Sequence, residues 1–534
     1  MKEIYFSIII GIMGAYIVNA QTWTMTQKMR SSGQGPFSNL GYSVAISDSF
    51  VLAGAWTANG GGSRTSGAAY LYKRQPNGTW KEIQQLSSPN PLSLGYFGAS
   101  VALTENYALV GAYNEGNGSL KTGAAYVYEF TASDTLKLMN RLLPSDGENG
   151  DRFGISVALT DEYALIGAPR NNTDQNGQQP ITAAGAAYLF NLQPNGNWVL
   201  SSKWTAPNRE TENFFGQYLD MDETGVVIGA FGKDELPLQF DVGTAYAYNC
   251  GSMGSTCDFS TVGPSDLQEL TPADQDNFEA FGWDVAISGE WVVVGKSNEA
   301  DQPGGTQGGN TGSAYFFKWE NNQWTEKQKV YASDFDQNSF FGRSISIEGR
   351  ACVIGAGKER KDANGNAPIN VAGAAYVFEL DGNDQWQEVA KLAGTERNFN
   401  DNFGEAVAIS GRNIAVGAWQ ADSVNGTTIN DGGTVYVFDR DRPLAVERPH
   451  ENQLFIVQDR SASAELTIVD RSFSSEPMHI EVITLGGQQV HGETMPPSQA
   501  CVIHLPHLSE GIYFVRARRG NSFVKAWQWY YSPY

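Results

Sequence analysis

Short stretches of alternating or wholly apolar residues recur along most of this chain, separated by clusters of glycine, asparagine, serine and aspartate. In the third copy of the pattern, strands are predicted at residues 155–159, 163–168 and 185–190, because the apolar period is two and turn-forming residues end each run. Several copies add a fourth strand, marked by a tryptophan and an apolar residue six positions later, as in Trp80–Leu86 and Trp324–Val330. Each repeated unit is therefore predicted to form four strands.

The unit occurs seven times, and each copy has a glycine after a phenylalanine or leucine at its first strand. These glycines are 56 to 66 residues apart: Gly41, Gly98, Gly154, Gly216, Gly282, Gly342 and Gly404. Such spacing is typical of propeller blades. The last copy lacks its tryptophan strand, and residues 23–29 before the first copy carry one. We therefore predict an all-β fold, a seven-bladed β-propeller over residues 21–440 that is closed by the N-terminal strand.

The repeat stops after residue 440. Residues 441–453 contain two prolines and several charges and are interpreted as a linker. Apolar segments at 464–469, 479–485, 501–505, 511–516 and 523–527 then predict a small C-terminal β-sandwich over residues 454–534.

The first twenty residues have the composition of a signal peptide. A lysine at position 2 is followed by an apolar run and by Val18-Asn19-Ala20, a small-residue cleavage motif. No later segment is apolar enough over twenty residues to predict a transmembrane helix. We therefore expect the protein to be secreted or displayed on the outer cell surface.

The formal net charge is −22, and the segment after residue 442 contributes little of it, with seven Lys or Arg against nine Asp or Glu. This field repels phosphate backbones, so nucleic acid is excluded as an expected partner, and it favours cations and basic partners. In an exported protein, Cys250 and Cys257 are predicted to form a disulfide across a short hairpin, the alternative being two free thiols.

All five histidines follow the repeats, at positions 450, 479, 491, 504 and 507. The predicted propeller therefore lacks the commonest general base and transition-metal ligand. No nucleophile elbow, phosphate-binding loop or zinc spacing is present either. We expect a protein that is not an enzyme. The alternative left open is a surface hydrolase or lyase that uses carboxylates.

Loop lengths differ between the two faces of the predicted propeller. The long connections, from the second strand to the third and from the fourth to the next blade, share one side, here called the loop face; the opposite side is the turn face. Directly after the second strand stand Trp56, Tyr113, Pro169, Phe231, Ser297, Gly357 and Trp419. The four aromatic residues, Trp56, Tyr113, Phe231 and Trp419, are candidates for binding a sugar or a protein side chain, because rings offer large contact area at low entropy cost. The alternative is that each ring packs against its own loop.

A second candidate pattern consists of acidic residues shortly before the first strand of a blade. Its members are Asp146, Glu148 and Asp151 in blade 3, Asp274, Asp276 and Glu279 in blade 5, and Asp334 and Asp336 in blade 6. Closely spaced oxygen ligands suit calcium, and no other cofactor is predicted. Aspartates also stabilise turns without any metal, which is the alternative interpretation.

The repeated unit resembles the FG-GAP repeat, known from integrin alpha subunits and bacterial surface proteins. Leu40-Gly41 and Gly295-Lys296 depart from the repeat's Phe-Gly and Gly-Ala. Its calcium loops cannot be carried over, because the connections concerned are tight turns here, such as Ser47-Asp48-Ser49. The resemblance implies adhesion, that is, binding of an extracellular protein or glycan; a purely structural component of a surface layer is a further alternative.

The C-terminal segment is similar to the sorting domain of type IX secretion substrates in Bacteroidota. The similarity rests on residues 480–487 with Val490, on residues 508–513 and on Lys525, whereas the usual early Pro-Asn-Pro is absent. This resemblance implies the export machinery as a second partner; the alternative is an ordinary accessory β-sandwich with no role in export.

Overall fold

The structure is a computed structural model, and the residues it describes are 23–33, 35–59, 65–116, 120–234, 241–251, 257–274, 278–300, 309–334, 336–366, 368–424, 428–440, 454–460, 465–470, 478–484, 489–495, 500–504, 511–519 and 522–531. The predicted signal peptide and the predicted linker lie outside them. The chain divides after Arg442 into two compact units.

The first unit consists of seven four-stranded antiparallel sheets, the blades of a propeller. Each blade has strands A to D from the innermost strand outward. They are Leu40–Ile46, Phe50–Ala55, Ala68–Arg74 and Trp80–Leu86 in blade 1; Phe97–Leu103, Tyr107–Ala112, Ala124–Phe130 and Leu136–Leu142 in blade 2; Val157–Leu159, Tyr163–Ala168, Ala186–Leu192 and Trp198–Trp204 in blade 3; Leu219–Met221, Gly225–Ala230, Thr244–Asn249 and Gln268–Leu270 in blade 4; Phe281–Ser288, Trp291–Lys296, Ser313–Glu320 and Gln323–Val330 in blade 5; Ser344–Glu348, Ala351–Ala356, Ala374–Leu380 and Trp386–Leu392 in blade 6; and Phe403–Ser410, Asn413–Ala418, Thr434–Arg440 and Trp23–Met29 in blade 7.

Three further elements lie in the connections. A small hairpin pairs Ser423–Val424 with Thr428–Ile429 in the B–C loop of blade 7, and two 3₁₀ turns, Phe259–Thr261 and Pro264–Asp266, precede strand D of blade 4. Within the described residues no helix has the length and apolar character needed to cross a membrane.

The N-terminal strand closes the propeller, as the sequence predicts. Trp23–Met29 pairs antiparallel with Thr434–Arg440, and Trp23 lies opposite Arg440. Trp23 and Met29, the two apolar residues at the six-residue offset, are both buried. The strand covers the outer edge of the C strand of blade 7 and joins the two ends of the propeller in one sheet.

The repeated glycines allow adjacent blades to approach closely. Gly98 has φ +85°, a conformation that favours glycine, and a methyl group on Gly54 would overlap the carbonyl oxygen of Gly98 in the next blade. The Ser43 hydroxyl also donates to that carbonyl at 2.9 Å. Buried apolar side chains fill the space between blades, as Leu52 and Tyr126 do between blades 1 and 2. The motifs that recur in the sequence therefore serve blade packing.

Strand A of blade 3 begins later than predicted. The A strand of blade 3 is Val157–Leu159, two residues shorter than predicted, because the Ile155 amide donates to the Arg152 carbonyl at 3.1 Å in a turn.

The second unit contains two antiparallel sheets. One has three strands, Leu454–Arg460, Glu465–Asp470 and Ala500–His504, and the other has four, Gln489–Met495, Met478–Thr484, Gly511–Arg519 and Ser522–Tyr531. Five of these strands match predicted segments within a few residues; the first strand and Gln489–Met495 were not predicted. The packing of the two sheets as a sandwich stays a prediction.

Cys250 and Cys257 are joined by a disulfide with a Cα–Cα distance of 5.8 Å, the pairing predicted from their spacing. Cys257 is buried beneath the 3₁₀ turns of blade 4 beside Phe259.

Candidate functional site

The seven innermost strands surround a central channel whose loop-face end forms a cavity of about 240 Å³. This end, here called the channel mouth, is lined by the residues that follow the repeated glycines of strand A. Among them are Tyr42, Ala99, Ile155, Gln217, Arg343 and Glu405. The position after the glycine is therefore variable, and it faces the axis of the propeller in most blades.

Aromatic rings form a continuous arc across the loop face of blades 7, 1 and 2. Tyr42 stacks on Trp56 with ring centroids 4.5 Å apart and meets the edge of Trp419 at 5.7 Å. Trp56 contacts Tyr96 at 4.9 Å, and Tyr96 contacts Tyr113 at 5.2 Å. This first arc brings together three of the four aromatic residues predicted from the sequence. All five rings are half-buried, so part of each remains available to a ligand.

Phe231, the fourth predicted aromatic residue, belongs to a separate group in blades 4 and 5. It stacks on Phe214 at 5.3 Å and contacts Trp283 at 5.0 Å. The Arg343 guanidinium lies 5.0 Å from the Trp283 ring, a cation–π contact. The rings at the mouth thus form two groups, one on each side of the channel.

Sequence reasoning missed four of these rings: Tyr42, Tyr96, Phe214 and Trp283. Tyr96 and Phe214 stand directly before the phenylalanine of the repeat, and Tyr42 and Trp283 stand directly after its glycine. Alignment of the copies at these two positions would have found them.

An ion pair interrupts the aromatic lining. Arg343 Nε lies 2.7 Å from Glu405 Oε1. Glu405 fits there because Gly357 has no side chain; a Cβ atom on Gly357 would overlap Glu405 Oε2. In blade 6 the position that carries a tryptophan in blades 1 and 7 is therefore left empty, and a carboxylate and a guanidinium reach the mouth instead.

Several polar atoms at the mouth are buried without a hydrogen-bond partner among the described residues. They are the indole nitrogens of Trp56, Trp283 and Trp419 and the Oε2 atom of Glu405. Burial, together with the Glu405 charge, raises the pKa of the Tyr42 hydroxyl, which keeps it neutral. The mouth thus offers partly exposed ring faces beside the Arg343–Glu405 ion pair, a combination suited to binding.

The predicted calcium residues occupy a different environment, close to cationic side chains of the protein itself. In blade 3, Asp146 Oδ2 accepts from Lys203 Nζ at 2.6 Å and from the Thr173 hydroxyl at 2.5 Å, and Asp146 Oδ1 accepts from the Tyr188 hydroxyl at 2.6 Å. Asp151 Oδ2 accepts from the amide of Glu148 at 2.8 Å. Asp146 is therefore held by an ammonium group, and Asp151 is held by a turn.

Blade 6 repeats this arrangement. Asp334 accepts from Lys391 Nζ at 2.7 Å and from the Tyr376 hydroxyl at 2.9 Å. Asp336 binds Arg360 through both oxygens, at 2.6 and 2.5 Å. Lys203 and Lys391 stand at the same position of strand D, five residues after its tryptophan, so the lysine is part of the repeat.

Blade 5 has the densest cluster of charges. The Asp274 carboxylate contacts Lys329 and accepts from the Tyr315 hydroxyl at 2.6 Å. Glu279 is buried against Lys296, which takes the place of the alanine in the Gly-Ala motif. Asp276 lies outside the described residues. Within the described ranges, no group of three or more His, Cys, Asp or Glu side chains is placed to hold a metal ion.

Calcium is expected to leave the stability of the protein unchanged, because ammonium and guanidinium groups already pair with five of the seven described acidic positions, namely Asp146, Asp274, Glu279, Asp334 and Asp336. The thermal midpoint should be the same in millimolar calcium and in EDTA, since a ligand that binds only the folded state would raise it. A clear rise with calcium, retained in Asp276→Asn, would contradict this assignment of Asp146, Asp274 and Asp334 to internal ion pairs.

Two carboxylates on the channel wall make stability depend on pH. Asp220 Oδ2 accepts from the Ile287 amide at 2.9 Å, and Asp284 Oδ2 accepts from the Ile345 amide at 2.7 Å, each in the next blade. Desolvation in the narrow channel raises the pKa of Asp220 to about 7 and that of Asp284 to about 8. Their carboxylates thus cap the open inner edge of the neighbouring A strand.

The folded protein keeps protons on these groups that the unfolded chain releases near pH 4. Stability should therefore fall as pH rises from about 4 to about 8. Asp284→Asn keeps an acceptor for the Ile345 amide and should reduce this pH dependence. Between about pH 4 and about pH 8, the free energy of unfolding should fall by about 1–2 kcal/mol less than in the wild type, after allowance for screening by water in the channel. Urea unfolding of both proteins across this range tests the prediction, and parallel profiles would contradict it.

Comparison with known proteins agrees with this architecture. The FG-GAP repeat family matches residues 23–72, 80–128, 137–190, 198–248, 264–317, 324–378 and 386–438. No curated protein matches the chain. One chain of a crystal structure of the mitotic checkpoint complex matches with 11 % identity and a TM-score of 0.42, covering 82 % of this chain and 98 % of that chain, a similarity too low to carry any argument. Because the seven matches span more than half of the residues, each running from strand D of one blade through strands A to C of the next, the protein belongs to the FG-GAP repeat family.

Proposed function

We propose that this protein is a secreted or cell-surface binding protein that recognises an extracellular protein or glycan through the loop face of its propeller. The observation that carries the proposal is the aromatic arc at the channel mouth. Five rings from three blades are half-buried there. Large, partly exposed aromatic rings are typical of recognition surfaces.

The rigid propeller supports this role. Its constant motifs are used for blade packing, and its variable residues stand at the ends of strands, where a rigid scaffold positions loops for binding. The proposal includes no chemical step: Asp146, Glu299 and Asp334 are paired with lysine, and the Arg343–Glu405 pair occupies the mouth.

Arrays of glycans and of extracellular protein domains, probed with the full chain, test the proposal. We expect saturable binding to members of one array. Turnover of a glycan or peptide panel without stable binding would favour a hydrolase or lyase instead, and the absence of both would favour a structural surface-layer component.

The C-terminal unit is proposed to deliver the protein through a type IX export machinery, on the sequence similarity of residues 480–487 and 508–513. Removal of residues 454–534 is expected to abolish surface delivery in a host with that machinery while the propeller still folds. Unchanged delivery, measured by surface labelling, would show that the unit has another role.

A further inference from the structure

Every blade has a left-handed residue three positions before the phenylalanine or leucine of its repeat. These residues and their φ angles are Phe37 (+59°), Leu94 (+64°), Gly150 (+92°), Glu212 (+61°), Phe278 (+65°), Asn338 (+61°) and Asn400 (+70°). Glycine and asparagine are the residues that tolerate this conformation best. Blades 3, 6 and 7 follow that preference.

Phe37, Leu94, Glu212 and Phe278 do not follow it, and for the three apolar residues burial does not compensate for the strain. Phe37 is 58 % exposed, Leu94 is 42 % exposed and Phe278, in blade 5, is 59 % exposed. A bulky apolar side chain in a strained conformation, left in solvent, contributes little to folding. Strain of this kind, once observed, points to a functional contact.

Hydrogen bonds place Phe37 and Leu94 just outside the first aromatic arc. The Phe37 carbonyl accepts from the Thr57 hydroxyl at 2.6 Å, and Thr57 follows Trp56 in the chain. The Leu94 carbonyl accepts from the Asn114 side chain at 2.6 Å, and Asn114 follows Tyr113.

Three further apolar side chains are exposed on loop-face connections that lead into blades 2 and 7 or lie within blade 2. Leu92 is 38 % exposed, Leu120 is 48 % exposed and Phe399 is 71 % exposed. These three residues, Phe37 and Leu94 are here called the apolar sector. The connection that carries Leu92 and Leu94, residues 87–96, has no charged residue although the chain carries a net charge of −22. The centre of a protein interface has fewer charged residues and more aromatic residues than the rest of the protein surface.

We propose that the apolar sector docks a protein partner that presents an apolar patch with a basic rim. The inference rests on the proposed binding function and assigns its partner class. Leucine and phenylalanine side chains give a glycan no hydrogen bonds, which favours a protein. The strongly negative protein is repelled by anionic lipids, which disfavours a membrane.

A displayed library of random peptides, selected on the full chain, tests the proposal. The key variant combines Phe37→Asn with Leu94→Asn, and the matched control is Glu212→Asn, at the same left-handed position in blade 4. We expect selected peptides to carry aromatic or aliphatic anchors next to Lys or Arg. Their affinity should fall at least tenfold for the double variant and stay unchanged for the control.

The thermal midpoint separates lost contacts from lost folding. The double variant should unfold at the same temperature or about 1–2 °C higher, because asparagine relieves left-handed strain. Weaker binding together with a lowered midpoint would overturn the proposal.

Three other outcomes would also overturn it. Peptides that bind the double variant normally but fail on Trp56→Ala would keep the proposed function and place recognition in the arc alone. Phosphatidylcholine vesicles bound through Phe37 and Leu94 would make the partner a membrane. A library in which no peptide distinguishes the wild type from the double variant would leave the sector without a docking role, whatever the arrays of glycans and protein domains show.

Discussion

Replacing Lys296 by alanine is expected to destabilise the propeller by about 3–5 kcal/mol, although it restores the Gly-Ala motif of the repeat. The Lys296 ammonium is buried, contacts Glu279, lies 3.2 Å from Glu299 and donates to the Asp274 carbonyl at 3.0 Å. Glu299 keeps a second partner, Lys329, at 2.6 Å. Glu279 would therefore be the buried carboxylate left uncompensated. The midpoint of urea unfolding measures the effect.

The pH dependence of this variant is a second readout. Burial, together with the neighbouring Glu299 carboxylate, raises the pKa of Glu279 in the intact protein. Without Lys296 its protonated form is favoured further, so the loss of stability should shrink as pH falls. Glu279→Gln in the same chain should recover part of the loss. Lys318→Ala, which removes a surface pair with Asp384 at 2.7 Å, is the control and should cost less than about 1 kcal/mol. Equal midpoints for the wild type and Lys296→Ala would contradict the buried cluster.

Replacing Trp56 and Trp419 together by alanine is expected to weaken ligand binding by about 30-fold or more, which corresponds to about 2 kcal/mol. The two indoles contact Tyr42, with ring centroids 4.5 and 5.7 Å apart. Their removal therefore takes away two ring faces and leaves the Tyr42 ring without the contacts that hold it in place. Titration of a ligand found on the arrays measures the loss.

Two controls show whether the effect is local. Trp319→Ala removes a half-buried tryptophan at the turn-face end of strand C in blade 5, where it contacts Trp324 at 5.3 Å, and should leave binding unchanged. Trp56→Phe keeps a ring and should retain part of the affinity. Unchanged affinity in the double alanine variant, with its fold intact by circular dichroism, would make the arc a packing feature only.

Much of the fold follows from the sequence because it depends on local patterns. Strands such as Trp80–Leu86 and Tyr163–Ala168 have the predicted bounds, since apolar alternation and turn residues lie within the strand itself. Closure by Trp23–Met29 could also be predicted, because a missing strand at one end and an extra strand at the other leave a single pairing. Gln489–Met495 escaped prediction because glycine, histidine and polar residues hide its alternation.

The site was predicted less completely because its residues meet only in the folded chain. Trp419 and Tyr42 are far apart in sequence and become neighbours when blade 7 closes against blade 1. The acidic positions were found, but their partners were not. Lys203 and Lys391 stand on strand D with the spacing of a surface residue, and only the folded blade brings their ammonium groups to Asp146 and Asp334. Sequence spacing alone therefore left calcium and turn stabilisation as alternatives, and did not predict the internal ion pairs of Asp146 and Asp334.

Hydrogen exchange on the full chain, with and without a ligand found on the arrays, tests the central claim most directly. We expect ligand-dependent protection in segments 37–42, 56–59, 92–96, 113–116 and 419–422, which carry the arc and the apolar sector on the loop face, and none in the turns at 47–49 or 410–412. Protection at those turns, or confined to residues 454–534, would contradict a binding site at the loop-face mouth of the propeller.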